Sequence, residues 1–262
     1  MMIDFKYAAG FVDADGSIQI HAKKFDSKFA IYPVVSVTQL PHRSNFLQDV
    51  SEFFELSVHR NHRGTDEVRV SGKKGTRFLE HIKNHLVLKQ ELAEYILNLP
   101  QFVNETELKA IKKVIKNLRR NNTPCKHRPS RRWAAGYIDG DGCISASVTS
   151  RGSLECRLSV TSWVHAQAGL VLLKETFGGY IVEHKNTANW RVSLSPSKVQ
   201  EIKEFLGKHL MIKKTQLELA YDFIGKNKHS RRMGATDEDL RNFCKTLATT
   251  KSESIRKDDV IV

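Results

Sequence analysis

An internal duplication constrains this chain more than any other feature. The segment YAAGFVDADGSI at residues 7–18 returns as WAAGYIDGDGCI at residues 133–144, an offset of 126. Further landmarks follow in the same order: SVTQ (36–39) with SVTS (159–162), VRVS (68–71) with WRVS (190–193), and HLVLK (85–89) with HLMIK (209–213). Their offsets are 123, 122 and 124, a drift that short loop insertions explain. Two copies of one domain are implied, since a solenoid needs at least three units.

Each copy reads helix, two strands, helix, two strands, helix. In the first, Ser17, Gln19, His21 and Lys23 alternate with Ile18, Ile20 and Ala22, the period of a half-buried strand, and residues 31–39 read as its partner. Residues 43–56 carry Phe46, Leu47, Val50, Phe53 and Phe54 at helical spacing, a second hairpin surrounds Gly64, and residues 78–99 supply the last helices. The expected organisation is therefore an α+β chain with repeats at 1–118 and 133–225. A polar, basic linker holding Pro124 and Pro129 joins them at 119–132. A basic C-terminal tail follows at 226–262, with a short helix capped by Thr236 and opened by Asp237, Glu238 and Asp239.

Composition narrows the partner. Lys and Arg exceed Asp and Glu by 42 to 29, a net charge of +13, which implies a polyanion, with nucleic acid ahead of an anionic membrane. No apolar run approaches the roughly 18 residues of a membrane span, and the start MMIDFKYAAG lacks the order of a secretory signal. A soluble, intracellular protein is expected; an organelle (chloroplast or mitochondrion) and a bacterial cytoplasm both fit. Cys125, Cys143, Cys156 and Cys244 form no CxxC pair and read as reduced thiols. His81 and His85 stand four apart on an expected helix, yet HIKNH lacks the glutamate of a zinc-binding HExxH, so a solvated face is the better reading.

The repeated segment itself carries chemistry. Ala8, Ala9 and Gly10, like Ala134, Ala135 and Gly136, leave one helix face almost bare, so two helices can approach backbone to backbone. Gly16 and Gly142 suit a left-handed residue ending each helix. Asp15 and Asp141 then project at helix C-termini, where the dipole is negative and carboxylates are disfavoured. A divalent cation held by carboxylate and terminal carbonyl oxygens removes the conflict. Isolated DxDG strings are mostly plain turns, and a calcium loop is excluded because its later ligands are absent. The duplication behind a small-residue helix is what favours a site.

Those segments, AAGFVDADG and AAGYIDGDG, resemble the motif of the LAGLIDADG homing endonucleases, a likeness that extends to about Phe223. The resemblance implies a pseudo-twofold monomer whose antiparallel sheets form a saddle on double-stranded DNA and whose repeats share a metal-dependent active site. Asp15 and Asp141 would bind the metal, assisted by the backbone carbonyls of Ala14 and Gly140, while Asp13 and Asp139 serve the helix ends structurally. Mg²⁺ is the expected ion, with Mn²⁺ as substitute and Ca²⁺ supporting binding without cleavage. Gln39, Arg43 and Lys89 would organise water and stabilise charge in the first copy. In the second, Lys213 keeps the lysine, but Ser162 and Ala166 stand where Gln and Arg would be, so unequal cleavage of the two strands is expected.

Bases would be read in the major groove by the outward strand residues. In the first copy these are Ser17, Gln19, His21, Lys23, Tyr32, Val34, Ser36, Asn61, Arg63, Glu67 and Arg69. In the second they are Ser145, Ser147, Thr149, Arg157, Ser159, Glu183, Lys185, Asn189 and Arg191. The two sets differ almost everywhere, which implies a long, non-palindromic target. An intron RNA maturase and a regulator of the same fold without catalysis are the rival functions. Both acids are intact, which favours the intron-encoded nuclease.

Overall fold

The computed structural model describes residues 4–39, 45–61, 64–120, 129–225 and 235–253. They fall into two compact units: Met1–Gly140 with His165–Gly169, and Asp141–Val164 with Leu170–Val262.

The first unit opens with α1 (Phe5–Asp15), whose N-cap Asp4 accepts hydrogen bonds from the amides of Lys6 (3.0 Å) and Tyr7 (3.3 Å). The chain passes directly into β1 (Gly16–Phe25) and returns as β2 (Lys28–Gln39). Then come α2 (Asn45–Phe54), β3 (His59–Arg60), β4 (Asp66–Ser71), α3 (Gly72–Ile82), α4 (Gln90–Leu97), β5 (Phe102–Val103) and α5 (Glu105–Arg120). The antiparallel sheet has the order β1-β2-β4-β3, with β5 added to β2. Apolar residues two apart on β2, Val35 and Val37, meet Ile18, Val68 and Val70 on one buried face. Phe46, Phe78 and Leu79 from α2 and α3 are fully buried too; burying a side chain of this size contributes about 1.5–3 kcal/mol.

The helix α6 (Arg131–Asp141) carries the second copy of the motif, and through Gly140 it belongs to the first unit. It packs on α1 as the small residues require. A Cβ added at Gly10 would fall on the Trp133 carbonyl oxygen and lie 2.8 Å from its carbon, while one at Gly136 would fall on the Tyr7 carbonyl oxygen. Ala8, Ala9, Ala134 and Ala135 are buried around these two points.

The second unit runs β6 (Gly142–Val148), β7 (Leu154–Trp163), α7 (Ala168–Phe177), β8 (Tyr180–His184), β9 (Thr187–Ser193), α8 (Pro196–Leu206), α9 (Lys214–Ala220), a π-helical turn Tyr221–Gly225 and α10 (Asp237–Glu253). Its sheet order, β6-β7-β9-β8, matches that of the first. The duplication extends to hydrogen-bond register: Gly16 opposes Val37 and Val37 opposes Val68, as Gly142 opposes Val160 and Val160 opposes Trp190.

Three expectations change. Gly16 is extended (φ −83°, ψ 157°) and not left-handed; the glycine is needed because a Cβ there would lie 2.6 Å from Val12 Cα. Gly142 likewise opens a strand. The residues read as a tail contain a 17-residue helix, α10, with Leu240, Phe243 and Leu247 buried and the Phe243 ring stacked on Phe223 at 4.3 Å. Its cap is reciprocal, with the Asp239 amide donating to Thr236 Oγ1 and the Thr236 amide to Asp239 Oδ2. His81 and His85 do not share a helix: His81 lies in α3, its ring stacked on Phe5 at 4.5 Å, and His85 closes the 3-10 turn Lys83–His85. Among the described residues no helix is long and apolar enough to cross a membrane.

Candidate active site

Asp13 and Asp15 are two residues apart on α1, about 200° around the helix, so one turns inward and the other out. Asp13 is buried and collects four donors. Its Oδ2 accepts from the amides of Val87 (2.7 Å) and Leu88 (3.2 Å) and from Trp133 Nε1 (2.8 Å), and its Oδ1 accepts from the Lys89 amide (2.9 Å). Burial pushes the Asp13 carboxyl above its ordinary range, opposed by the Lys89 ammonium and by these donors. A reciprocal bond joins Tyr7 on α1 to Asp139 on α6, with the hydroxyl donating to Oδ2 at 2.8 Å. Burial first, then the Asp139 charge, raises the Tyr7 phenol well above its usual value. The structural role expected of these inner acids therefore takes a specific form: each is tied to the aromatic residue that opens the other motif.

Asp15 is exposed at the α1 C-terminus, and its Oδ2 accepts from Gln39 Nε2 at 2.7 Å. Gln39 ends β2 on the buried face of the sheet. Lys89 is the N-cap of α4, with its amide held by Asp13, while its Nζ reaches back to the carbonyls of Val12 (2.6 Å) and Gly16 (2.8 Å). One inner acid thus fixes the lysine that stands beside the outer acid. Ala14 and Gly140 lie close together, since a Cβ built on Gly140 would sit 2.5 Å from Ala14 Cβ. Arg43 lies outside the described residues, as does Arg63.

In the second unit Asp141 closes α6 and is half-buried. Lys213 is the N-cap of α9 and only 2% exposed. Ser162 opposes Ala188 in the register position that Gln39 holds opposite Asp66. Ala166 is buried and ends the 3-10 turn Val164–Ala166.

Strand register sorts the residues expected to read bases. Ser17, Gln19, His21, Lys23, Tyr32, Ser36, Glu67 and Arg69 share one face, because Ser17 opposes Ser36, Ser36 opposes Arg69, and successive pairs alternate. Val34 lies on that face yet is fully buried. Asn61 lies just past β3, paired through its backbone to Thr65. In the second sheet Ser145, Arg157, Ser159, Asn189 and Arg191 share a face, with Ser147 two residues on and Thr149 just past β6. Glu183 opposes Ala188 and so belongs to the other face, while Lys185 sits in the β8–β9 turn at φ 45°. The edge strand β8 is too evenly exposed for alternation to set its phase, so the sequence placed it one residue off. The side chains brought to the Asn189 face are Tyr180, Val182 and His184, together with Trp163 from β7, which is 58% exposed.

The donors at α1 are all oxygens, a carboxylate at a helix end and nearby carbonyls, which suits a hard divalent cation. Among the described residues no three His, Cys, Asp or Glu gather into a metal cluster. An ion here would complete its shell with carbonyls, water or substrate oxygens, as Mg²⁺ commonly does beside phosphates.

The chain thus repeats one α+β pattern, with a small-residue helix that ends in an acid followed later by a lysine that N-caps a helix. The LAGLIDADG endonuclease family model matches residues 8–102 and 134–223. The chain belongs to this family, whose members are DNA-cleaving enzymes that use divalent metals. No curated protein matches it. Among solved structures, the meganuclease I-AabMI bound to uncleaved DNA is 17% identical, with a TM-score of 0.67 over 95% of this chain and 98% of that one. I-LtrWI bound to target DNA is 18% identical, with a TM-score of 0.68 over 95% and 96%. I-SmaMI bound to an uncleaved DNA target in the presence of calcium ions is 17% identical, with a TM-score of 0.65 over 95% and 98%.

Proposed function

We propose that this endonuclease hydrolyses one phosphodiester in each strand of a long, non-palindromic DNA duplex, with Mg²⁺ held by Asp15 and Asp141 and by the carbonyls of Ala14 and Gly140. The observation that carries this reading is the exposed Asp15 carboxylate at the end of the motif helix, bonded to Gln39 and flanked by the doubly anchored Lys89. Bound metal supplies Lewis-acid polarisation of the phosphate and a more acidic water. The chain's own residues do the rest. Gln39 orients Asp15 and, through it, the water on that side. Lys89 and Lys213 bring positive charge to where negative charge grows during attack, and Arg43 adds a second cation in the first repeat. The sheet residues on the Arg69 and Arg191 faces bind the duplex in its major groove, with Arg and Lys suited to guanine, and Asn and Gln to adenine.

Mn²⁺ should replace Mg²⁺, whereas Ca²⁺ should support binding without cleavage. The repeats at 1–118 and 133–225 already supply both motifs, so the working unit is a monomer. Its excess of 42 basic over 29 acidic residues suits a nucleic-acid partner inside a cell or organelle. The test incubates the purified chain and Mg²⁺ with DNA containing the junction at which its own coding sequence is inserted. Site-specific double-strand breaks are expected, and a protein that binds but never nicks would overturn the reading in favour of a regulator or maturase.

A further inference from the structure

The first turn of α9 departs from its counterpart in the first unit. Lys89 and Lys213 are both N-caps, but three residues on the first repeat has Leu92, fully inside the core, where the second has Gln216. Gln216 is only 6% exposed, and its Nε2 makes no hydrogen bond to any described residue. Leucine at this position costs the core nothing, whereas a buried amide without an acceptor is unfavourable and calls for an explanation. Residues three apart at a helix start lie on one side, so the Gln216 amide and the Lys213 side chain leave α9 as neighbours. The same unit lacks the amide that the first has at Gln39, because Ser162 holds that register position.

Resting on the endonuclease reading above, we propose that Gln216 supplies the amide missing at Ser162, donating its buried Nε2 to the water that attacks the strand served by the second repeat, beside Lys213. A donor held in place before the reaction, without a competing partner, is the arrangement that stabilises an attacking oxygen at least reorganisation. The orphaned nitrogen and the missing strand-end amide then have one explanation.

The test is single-turnover cleavage of the duplex target by the full chain, with each strand end-labelled. Gln216→Leu, which installs the residue of the first repeat, should slow one strand about a hundredfold and leave the other unchanged. DNA affinity measured in Ca²⁺ should not move, and Tm should hold or rise. Gln216→Met gives the same readout with a more adaptable side chain if leucine packs poorly. Adding Ser162→Gln to either variant should restore the slowed strand, which a purely structural role for Gln216 would not allow. If the wild type cleaves and both strands keep their rates in Gln216→Leu, or slow together without rescue, the inference is overturned. A wild type that cleaves no DNA would instead overturn the endonuclease reading on which it rests.

Discussion

Gly10→Ala is the most discriminating perturbation of the fold, because two physical arguments predict opposite signs. Gly10 lies inside α1, where alanine is favoured over glycine by about 1 kcal/mol through helix propensity alone. The structure reverses this. The new Cβ would stand 2.8 Å from the Trp133 carbonyl carbon and 2.9 Å from its Cα, whereas carbon atoms rest about 3.5–4.0 Å apart. The helices must therefore part by about 1 Å, and overpacking of this kind costs about 1–3 kcal/mol. Separation also stretches the bonds from Trp133 Nε1 to Asp13 and from the Tyr7 hydroxyl to Asp139, both 2.8 Å long. Hydrogen bonds to charged groups are worth about 1.5–3 kcal/mol each. Losing one of them and offsetting the propensity gain leaves a net destabilisation of about 3 kcal/mol, which lowers Tm by about 6–12 °C in a chain of this size. Thermal and urea unfolding followed by circular dichroism would measure it, with exposed Lys113→Ala on α5 as the control. A Gly10→Ala protein as stable as the wild type, or more so, would refute the close helix approach and the argument built on it.

Four other outcomes are expected. Asp15→Asn or Asp141→Asn should abolish double-strand cleavage while DNA affinity in Ca²⁺ persists; cleavage by the double variant would place the metal elsewhere. Gln39→Leu should slow one strand about a hundredfold, so that supercoiled target accumulates as open circles, and equal slowing of both strands would count against its local role. Burial, and then Cys244, push the Cys156 thiol up to about 12. At pH 8 only about one molecule in 10⁴ carries the thiolate, so iodoacetamide should label Cys156 only after unfolding, and rapid native labelling would contradict its burial. Finally, a fragment of residues 1–118 should aggregate, because it lacks the α6 segment that covers Tyr7, Ala8 and Gly10 in the first unit; a well-behaved monomeric fragment would show that this face needs no cover.

The sequence disclosed most of the fold because duplication shows the same pattern twice. Ser36 opposite Arg69 and Ser159 opposite Arg191 repeat a register already visible as SVT and RVS. It also pointed to Asp15 through the repeated motif and to Gln39 and Lys89 through the family resemblance, and the structure brings Gln39 onto Asp15 and Lys89 onto the carbonyls that flank it. It could not disclose what Asp13 does, because its donors come from residues 74 to 120 positions away and three of them are backbone amides that any sequence supplies. The β8 phase was illegible for a different reason: an edge strand with both faces partly exposed has no alternation to read. The start of α10 was legible from its cap at Thr236, but the helix was read as a short one in a solvated tail because its buried residues, Leu240, Phe243 and Leu247, are sparse among charges, and only their packing shows that they belong to the core.

These particulars explain why one helix pair joins stability and chemistry. Asp13 faces inward because Asp15 faces out, and the carboxylate that receives Trp133 also holds the Lys89 amide. The lysine's other end grips the carbonyls of Val12 and Gly16, the residues on either side of the two acids. A change that loosens α1 from α6 therefore reaches Lys89 through a single carboxylate, without touching the strand residues proposed to meet DNA. Variants such as Trp133→Phe should accordingly lose rate faster than they lose DNA affinity, since the donor removed holds the charge in place and does not hold the duplex. Cleavage in Mg²⁺ compared with binding in Ca²⁺ separates the two quantities, and a parallel loss of both would mean that Asp13 supports the sheet instead of the lysine.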